Sequence, residues 1–144
     1  MTLLHQILWG SFYLGLCFLI EIGLLTWCVQ VLRRLDESWQ NRSRILRTAG
    51  PIAFSLGVIV AAHTVQVWIW AVVWVLGDVL PGWNSALYFS LVTFTTLGYG
   101  DIVLGEGLRI FGAFASVTGL LAFGLSTAFL VALMTRMFEE HLNP

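Results

Sequence analysis

Three apolar runs with almost nothing ionisable inside them set the terms for this chain. They extend from about Leu4 to Leu32, from about Pro51 to Leu76 and from about Arg109 to Met134. Crossing a bilayer takes about 20 residues, so each is long enough to span. Lipid cannot pair backbone N–H and C=O groups, whereas a helix pairs its own, so the expected fold is an all-α membrane protein with three transmembrane helices. Only 10% of the 144 residues are charged, far below the roughly 25% of a soluble domain. A fourth piece, Ser85 to Leu97, is too short to cross and is expected to enter the membrane and turn back. The N-terminus lacks a basic flank and a small-residue cleavage site, so the first run reads as a retained span and not a signal peptide. Cys17 and Cys28 share that run, without the spacing of a disulfide framework or a metal site, and are expected to be buried free thiols.

The arginines orient the spans. Arg33, Arg34, Arg42, Arg44 and Arg47 follow the first run and Arg136 follows the third, while only Arg109 falls between the second and third. The positive-inside rule then places the first loop and the C-terminus in the cytoplasm, and the N-terminus outside. Trp68, Trp70, Trp74 and Trp83 crowd the outer end of the second span, where an aromatic belt is expected. The Arg-rich loop reads either as an interfacial helix with Leu35, Trp39 and Leu46 on lipid or as a solvated connection. Its arginines do not recur every third residue inside an apolar helix, so it is not a voltage sensor.

Between the second and third spans lies TFTTLGYGD, Thr93 to Asp101. Two glycines around a tyrosine spoil a helix, each costing about 1 kcal/mol against Ala. Non-helical backbone at membrane depth survives only where protein shields it or where it lines water or ions. The preceding half-helix, with Asn84 or Ser85 as its expected cap, points the negative end of its dipole inward near Thr95. If Gly98 and Gly100 adopt conformations closed to residues with a Cβ, the carbonyls of Thr96, Leu97, Gly98 and Tyr99 can face one way. With the Thr96 hydroxyl they would form a ladder of hard oxygens suited to a dehydrated alkali cation. One chain offers a single strand of such oxygens; four around an axis would enclose the ion.

Thr96-Leu97-Gly98-Tyr99-Gly100-Asp101 closely resembles the potassium-channel signature, usually T-V-G-Y-G-D. "LYFSLVTFTT" resembles the family's pore helix, and "VTGLLAFGLSTAFL" the inner helix of simple bacterial members. The resemblance covers roughly Pro51 to Met137. It implies a homotetramer with a re-entrant pore helix and an extended selectivity filter that conducts K+ passively. Gly100, Asp101, Tyr88, Val92 and Thr95 would support the filter. Gly119 would stand at the hinge position, although Gly119 and Gly124 would also permit close helix approach. Leu120, Phe123 and Thr127 would face the cavity or upper pore, with Met134 or Thr135 near the inner constriction. The chain departs from the pattern in three places. Leu97 replaces the common Val, with its larger side chain expected behind the filter. Val92 and Phe89 replace a Glu and a Trp that brace the filter in other members, leaving Tyr88 as a substitute partner for Asp101. The third departure is the whole first span, expected on the outside of the pore, against lipid.

One ionisable residue interrupts that span. Glu21 lies twelve residues from Arg33 (33 − 21), and His63 lies twelve from Pro51 (63 − 51). At a rise of 1.5 Å per residue both sit about 18 Å from the cytoplasmic boundary, near the midplane. An ionisable group there is costly and partnered as a rule, so Glu21 is expected within about 6 Å of His63 or of Gln66 one turn on, fastening the first span to the second. The other reading is a protonated Glu21 against backbone or a neighbouring subunit. Outside, Asp78, Asp101 and Glu106 outweigh Arg109, which would give a fourfold mouth about eight negative charges. Arg109 is expected to pair with Glu106 or a neighbour, in a stabilising role. At the inner end Arg136, Glu139, Glu140 and His141 read as helix-end solvation.

These readings divide the chain into 1–49, a transmembrane helix with an Arg-rich cytoplasmic linker, and 50–144, a pore domain. They point to a multi-pass protein of the plasma membrane whose partners are K+, lipid and copies of itself, with gating left to the inner helices, the filter or a further gating partner. No nucleotide fingerprint appears, no basic patch suits nucleic acid, and no polar cluster has catalytic spacing, with His5, His63 and His141 far apart. An enzyme is not expected. The alternatives are a weakly selective cation pore and a non-conducting structural or regulatory membrane subunit of the same fold.

Overall fold

The computed structural model of the chain describes residues 1–40 and 44–142, and among these there is no strand. Four helices follow in order: α1 Leu3–Gln40, α2 Arg44–Leu76, α3 Gly82–Phe94 and α4 Arg109–Leu142, with a 3-10 turn at Glu106–Leu108 leading into α4. Three segments are long and apolar enough to cross a membrane: Leu3–Leu35 in α1, Ala49–Leu76 in α2, and Glu106–Met137, which takes in the 3-10 turn and most of α4.

The long helices outrun their apolar runs. At 38 residues α1 is about 57 Å long, nearly twice a hydrocarbon core of about 30 Å. Nothing after Leu32 stops it, since neither Gly nor Pro occurs before Gly50. The Arg-rich segment is therefore mostly helical continuation of α1 and α2 and not an open loop. Trp39, Arg42, Leu46, Glu139, Glu140 and His141 lie outside the described side chains, and with them the interfacial-helix and inner-end readings. The half-helix differs from expectation at its start. It begins at Gly82, after Pro81, with no side-chain cap, so neither Asn84 nor Ser85 serves as N-cap. Proline ahead of the first turn fixes the entry in their place.

Each helix buries one stripe. On α1 the buried positions are Gln6, Gly10, Cys17, Glu21, Leu25 and Cys28, the near-heptad spacing of a seam against neighbouring helices. Leu8, Phe12 and Leu19 form the opposite, exposed face. The seam lies against both α2 and α4, so α1 fits between the two and does not merely rest on lipid. Gly10 makes the approach possible, because a Cβ there would overlap the Phe114 ring. Cys17 and Cys28 are buried free thiols, and Cys28 Sγ lies 3.5 Å from Ser55 Oγ.

Trp70 and Trp74 correct the belt reading. Both are fully buried in an aromatic core, stacked 5.4 Å apart and flanked by Phe111. Spaced four apart on α2, they share the face turned to α3 and α4. Only Trp68 and Trp83 are exposed, with ring centroids 6.2 Å apart.

Candidate functional site

The TLGYGD segment begins where α3 ends. Thr95 closes the helix, its N–H donating to Leu91 O at 3.0 Å and its hydroxyl to the same oxygen at 2.7 Å. The next amides stay tied to the helix end. Thr96 N–H donates to Thr93 O (2.9 Å), while Leu97 and Gly98 N–H converge on Val92 O (2.9 and 3.2 Å). Val92 thus contributes through its carbonyl, which anchors two amides of the TLGYGD segment, while its side chain is buried.

Beyond that anchor the backbone alternates. Thr96 (φ +59°), Gly98 (+55°) and Gly100 (+78°) are left-handed, whereas Leu97 and Tyr99 are not. In a strand successive carbonyls face opposite sides; alternating the sign of φ is a way to bring them to one side. Glycine enters the left-handed region freely, but Thr96 is β-branched, so its conformation is a strained one held by its surroundings. The side chains of Leu97 and Tyr99 stand away from the chain, 55% and 69% exposed, so in the lone protomer Leu97 is not packed behind the segment.

Tyr88, from the exposed side of α3, donates its hydroxyl to Asp101 Oδ2 at 2.6 Å. This bond holds the Asp101 carboxyl below its ordinary range and pushes the Tyr88 phenol above its own. Phe89 is buried edge-on against Trp74 at 5.4 Å and serves the core. Arg109 donates from Nε to Leu104 O at 3.2 Å, while its contact with exposed Glu106 is long, 3.9 Å. Arg109 therefore meets both expected kinds of partner, Glu106 in a long exposed ion pair and a neighbouring backbone carbonyl at the closer distance.

Along α4, Gly119 is pressed against the end of α3. A Cβ there would overlap the Phe94 carbonyl oxygen, whereas one at Gly124 would meet nothing within 4 Å. Close approach accounts for the first glycine in this chain and not for the second. Leu120, Thr127, Met134 and Thr135 are exposed. Thr127 returns its hydroxyl to Phe123 O at 2.7 Å. Phe123 is exposed as well, although its ring packs on Phe94 at 5.7 Å and edge-on to His63 at 4.8 Å.

A second polar site lies where α1, α2 and α4 meet. Glu21 is 1% exposed. Its Oε2 accepts from Gln66 Nε2 at 2.6 Å, and His63 Nε2 lies 3.6 Å from Oε1. Both residues fall inside the expected reach. The third partner was not foreseen: Ser126 of α4 donates to Oε1 at 2.6 Å, across a separation of 105 residues. With that proton committed to Glu21, His63 Nε2–H is the donor in its 3.2 Å contact with Ser126 Oγ. A serine in an apolar helix gives no signal of its own; only its depth, level with Glu21, could have suggested it.

Three apolar spans, a half-helix between the second and third, and a non-helical return segment define a multi-pass membrane protein built around a pore loop. Residues 56–136, more than half of the chain, match the family described as Ion channel, and the chain belongs to that ion-channel family. No solved structure matches the chain.

Proposed function

We propose that this chain is one subunit of a potassium-selective channel that acts as a homotetramer in the plasma membrane. The observation that carries the reading is the alternation of left-handed residues at 96, 98 and 100 within TLGYGD. That pattern suits a ladder formed by the carbonyls of Thr96, Leu97, Gly98 and Tyr99 and closed by the Thr96 hydroxyl. Four such ladders around an axis replace the hydration shell of K+, and ions advance by mutual repulsion between successive cages. Potassium is the transported substrate. The exposed Leu97 and Tyr99 side chains are what neighbouring subunits would cover. Outside the filter, Asp78, Asp101 and Glu106 raise the local cation concentration, an effect that weakens with salt. The arginine distribution puts the N-terminus and the mouth outside and the C-terminus in the cytoplasm.

The test is flux from proteoliposomes under potassium and sodium gradients, with the oligomer counted by chemical cross-linking. Selective K+ flux from a four-chain assembly is expected. Equal flux of both ions points to the weakly selective pore, and absence of flux from an intact oligomer points to the structural subunit. Labelling single cysteines at residue 3 and at residue 137 from either side of intact cells checks the orientation.

A further inference from the structure

We propose that Glu21 is a positioning residue of the pore, through which the N-terminal span α1 holds the inner end of the pore helix in register with α4. An ionisable residue near the bilayer midplane is expensive and is kept for a reason. Here the reason is geometric. The two carboxylate oxygens are divided between helices, Oε2 to Gln66 of α2 and Oε1 to Ser126 of α4. His63 occupies the angle between them, 3.2 Å from Ser126 Oγ and 3.6 Å from Oε1. Its ring then touches two aromatic side chains, Phe123 of α4 at 4.8 Å and Phe94 at 6.0 Å.

Phe94 is the last residue of α3, and its carbonyl rests against Gly119. The amides that follow it, Thr95 bonded to Leu91 O and then Leu97 and Gly98 bonded to Val92 O, lead into the filter segment. A continuous line of contacts therefore runs from Glu21 through Ser126 and His63 to Phe94 and Val92, between two sites with no direct contact. Packed elements with discrete arrangements transmit displacement along such a line. The coupling to conduction rests on the channel reading proposed above; the coupling to the end of α3 does not.

Three variants separate positioning from charge and from simple stability. Glu21→Leu removes every acceptor while making α1 more apolar, so a defect does not reflect poor insertion. Glu21→Gln keeps an acceptor for Ser126, and its amide N–H meets Gln66 Oε1, which is buried without a partner, once the Gln66 amide turns over. Ser126→Ala leaves α1 bonded to α2 but cuts it from α4.

Two readouts are made on the full-length protein in lipid. The first is hydrogen exchange at the Thr95, Leu97 and Gly98 amides, which needs no conduction. The second is K+ flux from proteoliposomes. In Glu21→Leu and Ser126→Ala we expect protection of those amides and K+ flux to fall about fivefold or more, with the oligomer intact by cross-linking. Glu21→Gln is expected to stay within about twofold of the parent in both. Unchanged exchange in Glu21→Leu and Ser126→Ala overturns the proposal, as does loss that only accompanies disassembly. A Glu21→Gln variant as impaired as Glu21→Leu assigns the role to charge and also overturns it. If the parent protein passes no K+ yet the exchange pattern is as expected, the positioning role stands and the channel reading falls.

Discussion

Replacing Gly119 by alanine places a methyl group where the Phe94 carbonyl oxygen now sits. Helix propensity alone favours the change by about 1 kcal/mol, since Gly is the costliest non-proline residue in a helix interior. Against that stands overpacking, typically about 1–3 kcal/mol in a packed interior and at the upper end here, because the obstacle is backbone and cannot rotate away. Gly124, five residues on in the same helix, gains the same propensity and meets nothing within 4 Å. Gly124→Ala is therefore the matched control. The two variants should differ by about 1–3 kcal/mol per chain in favour of Gly124→Ala. At about 2–4 °C per kcal/mol, that separates their melting temperatures by about 5 °C. Thermal unfolding in detergent measures the separation directly. K+ flux should fall with Gly119→Ala, because the displaced group is the carbonyl of the last α3 residue, just ahead of Thr95 and the TLGYGD segment. If Gly119→Ala melts as high as Gly124→Ala, the close approach is not a constraint on the folded chain and the reasoning collapses.

Other outcomes follow from single contacts. Tyr88→Phe deletes the hydrogen bond to Asp101 and should shorten the time for which K+ current is sustained. The sign with pH is set by the lowered Asp101 pKa: the bond contributes above the ordinary value of 3.8 and is lost as pH falls through the lower folded value. Acid should therefore impair Tyr88→Phe at a higher pH than the parent, and coincident acid profiles in single-channel recordings would speak against the bond. Gly98→Ala meets no atom but must hold φ +55°, at about 1–2 kcal/mol for each chain. Reversal potentials in mixed K+ and Na+ should show discrimination lost; retained selectivity would mean that the left-handed conformation is dispensable. Gly10→Ala drives a methyl into the Phe114 ring whereas Gly23→Ala enters open space, so the first should lower the melting temperature through about 1–3 kcal/mol of overpacking and the second should not.

Much of this arrangement is written in residues whose physics is one-dimensional. The fixed rise of a helix puts Glu21, His63 and Gln66 at one depth, and that sufficed to pair them. The positive-φ demand of TLGYGD follows from where its glycines fall. What escaped the sequence depends on rotation about the helix axis or on the absence of a stop signal. Trp70 and Trp74 stand among belt-like aromatics, and only their rotation toward α3 and α4 makes them core. Ser126 lacks the charge that made Glu21 conspicuous. The end of α1 runs on because polarity changes there without any residue that breaks a helix, and α2 begins ahead of Gly50 and Pro51, the pair that reads in the sequence as a stop. Gly119 and Gly124 are indistinguishable by type, and only the neighbour at one of them, the Phe94 carbonyl, sets them apart.

The 105-residue gap between Glu21 and Ser126 also has a consequence for how the protein is made. α1 leaves the ribosome first and enters the bilayer carrying a carboxyl group with no partner. At about 5–20 residues per second, roughly 5–20 s pass before Ser126 is synthesised. Until α2 brings Gln66, 45 residues on, α1 costs more to keep in lipid than a leucine-lined helix of its length, by about 3 kcal/mol for a central acidic group, and from then until α4 it is Oε1 that lacks its serine donor. A chain cut short before α4 keeps the Gln66 bond but lacks the Ser126 donor at Oε1. The same contact that joins the helices in the finished protein is thus the last of the Glu21 bonds that synthesis can supply.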